Sequence, residues 1–109
     1  MKEIQGHGVA MITPFKENGS IDYDAIPSIV NHLIAGGVNY LVVLGTTAET
    51  ATLSIEEKTS LVESIITANS GRLPLVIGLG GNHTAALLEM FDWFDLSAFT
   101  AVLSVAPYY

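Results

Sequence analysis

Four apolar runs recur along the chain at close to the length of one strand–helix unit, and this spacing constrains the fold more than any other feature. Residues 9–12, 40–44, 75–77 and 101–105 are rich in Val, Ile and Leu without strict alternation, the pattern of parallel strands covered on both faces. Their starts lie 31, 35 and 26 residues apart. Each interval holds an amphipathic segment. Ile26, Ile29, Val30, Leu33 and Ile34 fall at i, i+3, i+4, i+7 and i+8, and Gly36 and Gly37 supply the stop. Pro27 belongs in the first turn of that helix, which makes Asp24 a better cap than Asp22. Leu61, Val62, Ile65 and Ile66 form a second stripe, opened by Ser54 and Glu57 at capping-box spacing and closed by Asn69, Ser70 and Gly71. Leu87, Met90, Phe91 and Phe94 form a third, with Asn82 as its cap.

Three βα units followed by a fourth strand make an α/β chain with parallel strands and right-handed crossovers. A doubly wound sheet and a β/α barrel both satisfy this pattern. Residues 1–109 amount to one domain at most. A barrel of eight such units runs to about 250 residues, so the chain would supply less than half of one. Composition points the same way. At 50% hydrophobic and 14% charged, the chain is apolar for a lone domain of this size, which would bury only roughly 60–70% of its unfolded surface. The expectation is the N-terminal portion of a larger domain, ending just past the fourth strand where another helix is due.

The formal net charge is −7, and the cations Lys2, Lys16, Lys58 and Arg72 are scattered. Nucleic acid binding needs clustered Lys and Arg to displace counterions, so a nucleic-acid partner is not expected. No apolar run approaches the ~18 residues of a membrane span, and Met1 to Gln5 lack the apolar core of a signal peptide. The absence of cysteine excludes disulfides and thiolate metal sites. A cytoplasmic location fits these features.

The segment Gly45-Thr46-Thr47-Ala48-Glu49-Thr50 carries the chemistry. It follows a buried strand directly, so two hydroxyls and several backbone N–H groups emerge where α/β folds place anions and reacting groups. Such a turn can hold a small carboxylate without a cation. It also fits a glycine-started turn whose threonines satisfy local backbone, and spacing alone leaves both readings open. The loop Gly78-Leu79-Gly80-Gly81-Asn82 is not a dinucleotide fingerprint, because His83 stands where G-x-G-x-x-G requires glycine. His7, His32 and His83 lack metal-ligand spacing and read as surface or cap residues, so neither metal nor cofactor is expected. Trp93, Phe91, Phe94 and Phe99 read as packing around the third helix and the strand after it. Glu56 and Glu57 suit the positive end of a helix dipole, and Asp92 and Asp95 read as solvated. Lys2 at the terminus, Lys16 in the Lys16-Glu17-Asn18-Gly19 turn and Lys58 on the second helix all read as exposed, and none offers the burial or neighbouring charge that activates a Schiff-base lysine.

Three motifs, Val9-Ala10-Met11-Ile12-Thr13-Pro14-Phe15, Gly45-Thr46-Thr47-Ala48-Glu49-Thr50 and Pro107-Tyr108-Tyr109, stand in the order and at the separations of the dihydrodipicolinate synthase family. This group belongs to the class I pyruvate-dependent aldolases and lyases. The chain resembles the N-terminal part of that family over essentially all 109 residues. Ala48 departs from the family's usual T-T-G-E. The Thr–Thr and Tyr–Tyr pairs are more similar to the synthases than to N-acetylneuraminate lyase, which typically carries Ser-Thr.

The resemblance implies a (β/α)8 TIM barrel with a small C-terminal helical region. It implies a lyase in which a lysine imine of pyruvate, as its enamine, adds to L-aspartate 4-semialdehyde. Cyclisation then gives 4-hydroxy-tetrahydrodipicolinate on the lysine and diaminopimelate route. By the same resemblance Thr46 and Thr47 hold the pyruvate carboxylate. Thr46 also relays protons with two tyrosines, one of them Tyr109, which in the family reaches the neighbouring subunit's site in a homodimer or homotetramer. The imine-forming lysine, the second relay tyrosine and the arginine for the second substrate fall after position 109. Regulated family members bind lysine at the dimer interface in a pocket built partly from this region. Thr50, Asn82 and Tyr108 are compatible with that pocket. Ile55 and Lys58, however, stand where regulated bacterial members often have histidines, and Ala86 where they have a glutamate that pairs with the ligand's amino group. The alternatives are a related sugar-acid aldolase such as N-acetylneuraminate lyase and a noncatalytic folding or assembly fragment.

Overall fold

A computed structural model describes residues 4–106. Strand β1 (Gly8–Ala10) is followed by helix α1 (Ile26–Ala35), β2 (Tyr40–Val43), α2 (Ile55–Asn69), β3 (Leu75–Gly78), α3 (Thr84–Trp93) and β4 (Ala101–Leu103). All strand pairs are parallel, in the order β1-β2-β3-β4. That order decides between the two architectures. A doubly wound sheet reverses its strand order at a switch point, whereas a barrel adds each strand beside the last. Repeated right-handed crossovers in one direction put every helix on the same face. The arrangement is that of a barrel wall.

The core lies between that face and the helices. Across the paired strands, Leu41 opposes Leu75 and Val43 opposes Ile77, and all four are buried. Ile26 and Val30 of α1 and Leu61, Val62 and Ile65 of α2 complete the cluster. Both apolar stripes thus point where their helical spacing directs them. On the opposite face Ala10 is exposed and Val42 only half-buried, although they are paired. Helix α3 has no buried residue. Leu87, Met90 and Phe94 pack against the core, whereas Phe91, expected in the same stripe, is exposed. Phe99 reaches the core as well, and Trp93 meets Phe94 edge-on at 6.5 Å.

Helix boundaries follow local chemistry, with two corrections. The capping box of α2 is complete: Glu57 N–H donates to Ser54 Oγ at 3.1 Å, and Ser54 N–H donates to Glu57 Oε1 at 2.9 Å. Ser70 closes α2 in the left-handed region. Asp24 does not cap α1. It lies within a 3-10 turn (Tyr23–Ala25) that runs straight into the helix, and Ala25 occupies the cap position without a side-chain bond. Pro27 does sit in the first turn. Asn82 does not cap α3 either. His83 does, its Nδ1 accepting from Ala86 N–H at 3.2 Å. Three strands, β1, β2 and β4, are shorter than their apolar runs. Met11 N–H still reaches Val42 O at 2.9 Å, but Leu44 turns away with φ 58° and leaves residues 12–13 no ladder partner. Beyond β4, Leu79 N–H donates to Leu103 O at 3.0 Å and the ladder stops.

Candidate functional site

The segments that follow β2, β3 and β4 meet at the C-terminal end of the sheet. They enclose a cleft of about 320 Å3 whose lining includes Thr46, Glu49, Thr50, Lys58, Gly80 and Asn82. A left-handed residue at each end, Leu44 (φ 58°) and Glu49 (φ 59°), delimits the segment after β2. Between them Thr46–Ala48 form a 3-10 turn, closed by Ala48 N–H to Gly45 O at 3.0 Å and Glu49 N–H to Thr46 O at 2.9 Å. A second 3-10 turn, Thr50–Thr52, leads to Ser54 and α2. Non-glycine residues in the left-handed region are uncommon, and clusters of them occur where a fold holds backbone for a purpose.

Thr46 and Thr47 are exposed, and neither hydroxyl has a protein partner among the described residues. The N–H groups of both residues also lack a backbone acceptor among the described residues. The threonines therefore do not satisfy their own turn. Thr52 does so instead, its Oγ1 donating to Glu49 O at 2.8 Å. Thr46 and Thr47 present donors with no cation needed, an arrangement suited to a small carboxylate.

Thr50 and Asn82 come together in this cleft. Tyr108 and Tyr109 lie outside the described residues. Lys58, expected to be exposed on α2, is half-buried and lines the cleft, whereas Lys16 is exposed in its turn. Asp95 is exposed, and hydrogen bonds from the Ser97 side chain and N–H hold its carboxyl below its ordinary 3.8. It caps the 3-10 turn Leu96–Ala98, away from the cleft. Among the described residues no group of three or more His, Asp or Glu could hold a metal ion, and no helix is long and apolar enough to cross a membrane.

One contributor carries no local signal. Thr13, just after β1, is buried, and its Oγ1 donates to Ala48 O at 2.6 Å across 35 residues of sequence. A hydroxyl closing an otherwise apolar run ahead of Pro14 is the only trace it leaves in the sequence.

The family model described as the dihydrodipicolinate synthetase family matches residues 3–109. This chain belongs to that family. A 4-hydroxy-tetrahydrodipicolinate synthase from Flavobacterium psychrophilum is 56% identical over the whole chain, which covers 37% of that relative. The crystal structure of a chloride-inhibited dihydrodipicolinate synthase from Acinetobacter baumannii, complexed with pyruvate, is 38% identical with a TM-score of 0.90. The match covers 98% of this chain and 37% of that one. An N-acetylneuraminate lyase from Proteus mirabilis is 37% identical with a TM-score of 0.84, covering 93% of this chain and 34% of the lyase. The chain thus spans about a third of the length of its relatives and has the fold of the N-terminal part of the family barrel. Both activities share that fold, so the fold alone does not choose between them.

Proposed function

We propose that the protein carrying this chain is a 4-hydroxy-tetrahydrodipicolinate synthase, a lyase that condenses pyruvate, held as a lysine imine, with L-aspartate 4-semialdehyde. The observation that carries this reading is the pair of hydroxyls of Thr46 and Thr47 at the end of β2, without a protein partner among the described residues, in a chain 56% identical to a synthase. Thr46 and Thr47 bind and orient the carboxylate through hydroxyl and N–H donors. Orientation of this kind keeps the reacting carbonyl at a fixed place beside the nucleophile. Thr46 Oγ1 is also positioned as a proton relay, because a hydroxyl both donates and accepts. By resemblance Tyr109 continues that relay into a neighbouring subunit, with assembly as a homodimer or homotetramer in the cytoplasm. No cofactor is part of the reading.

The Thr–Thr pair favours the synthase over a sugar-acid lyase. Assaying the full-length protein with pyruvate and L-aspartate 4-semialdehyde, and separately with N-acetylneuraminate, tests the choice. Condensation without sugar cleavage is expected; cleavage of the sugar acid without condensation would overturn the reading.

A further inference from the structure

We propose that Thr13 is a positioning residue for the carboxylate cradle, acting through the carbonyl of Ala48; the inference rests on the synthase reading of Thr46 and Thr47. Thr13 and Asn69 are the two buried polar side chains among the described residues, and they are satisfied in different ways. Asn69 is tied locally, donating to Leu73 O at 2.9 Å and accepting from Leu73 N–H at 3.1 Å, within the loop that leads to β3. Thr13 instead reaches 35 residues along the chain to the 3-10 turn that carries both candidate donors.

Ala48 is buried, and its carbonyl immediately precedes left-handed Glu49. The turn's internal bonds end at Glu49 N–H. The Ala48 carbonyl would therefore face the interior unpaired without Thr13, and a buried acceptor left unsatisfied is unfavourable enough to reorient the peptide plane. A rotation there is transmitted through one residue to Thr47 and through two to Thr46. The strand end after β1 thus fixes the aim of the hydroxyls after β2.

The test is steady-state kinetics of the full-length enzyme carrying Thr13→Val, Thr13→Ser or Thr13→Cys, with thermal unfolding measured in parallel. Valine keeps the volume and removes the donor. An increase of about tenfold in KM for pyruvate is expected for Thr13→Val, the scale of one hydrogen bond. KM for the aldehyde should move less, and Thr13→Ser should restore the native KM. A pyruvate KM within twofold of native for Thr13→Val, even with a lowered Tm, would overturn the proposal by showing a purely structural role. Cysteine offers only a weak donor. Thr13→Cys should therefore give an intermediate pyruvate KM, and a native value would contradict the inference even if the valine variant does not fold. An unmutated enzyme that neither binds nor turns over pyruvate would refute the synthase reading itself, which keeps the two failures distinct.

Discussion

Gly78 and the carbonyl of Leu44 are pressed together where β2 and β3 end: a Cβ added to the glycine would lie 2.5 Å from the Leu44 oxygen. Leu44 is buried and left-handed, so its carbonyl turns toward the neighbouring strand, and a side chain at position 78 has nowhere to go. Backbone cannot move aside as a flexible side chain can. Gly78→Ala is expected to destabilise the full-length protein by about 1–3 kcal/mol, the usual scale of overpacking. Denaturant unfolding measures this, and an unchanged midpoint would show that the approach relaxes freely.

The capping box at the start of α2 supplies a second stability prediction. Ser54→Ala removes one of its reciprocal bonds, and a loss of about 1 kcal/mol is expected. Ser54→Asp should retain most of that stability, since aspartate caps as well as serine. Equal unfolding midpoints for Ser54→Ala and the native protein would contradict the assignment.

Regular elements were legible in the sequence because burial imposes a period. The i, i+3, i+4 stripes of α1 and α2 each report one covered face, and the unbroken Val/Ile/Leu runs of β2 and β3 report strands of a parallel sheet covered on both. Legibility fell where a residue's environment is set by a distant segment. Nothing near Thr13 encodes the turn 35 residues away that accepts its proton. Leu44 carries no mark of its left-handed backbone, because leucine has no preference for it. His83 rather than Asn82 caps α3, since the chain reaches that helix one residue later than cap propensity suggests. The sequence puts Lys58 on the exposed side of α2, whereas it is half-buried and lines the same cleft as Gly80, Gly81 and Asn82 of the β3–α3 loop. Within the candidate site, the donor-rich turn at Thr46 and Thr47 was readable from its place at a strand end. That those hydroxyls have no partner among the described residues was not, because spacing cannot show which neighbours satisfy them.

Thr46→Val in the full-length enzyme should lower kcat by about 10²–10⁴-fold if its hydroxyl transfers a proton, the range of general acid–base assistance. Thr46→Ser should retain activity. Valine preserves shape, and the residue is exposed, so circular dichroism should be unchanged. Activity within twofold or threefold of native would remove Thr46 from the relay.

Feedback by lysine is expected to be absent. Lys58 lines the cleft with Thr50 and Asn82, and the family resemblance implies that Ala86 replaces a glutamate that pairs with the ligand's amino group in regulated members. An incoming ammonium therefore lacks its counter-charge and meets a like charge, a penalty that is large in a dry pocket and small in a wet one. Initial rates against lysine measure the effect. Half-inhibition below about 1 mM, equivalent to roughly 4 kcal/mol of binding, would show that other groups compensate.

On the proposed function, Thr46 and Thr47 build the carboxylate cradle of a pyruvate imine enzyme whose nucleophile is none of Lys2, Lys16 and Lys58. Treating the full-length protein with pyruvate and borohydride, then mapping the modified peptide by mass, tests it most directly. One adduct per subunit is predicted, on a lysine outside these 109 residues, with Thr46→Val and Thr47→Val each requiring more pyruvate to reach it. Stoichiometric modification of Lys2, Lys16 or Lys58, or no adduct at all, would contradict the account.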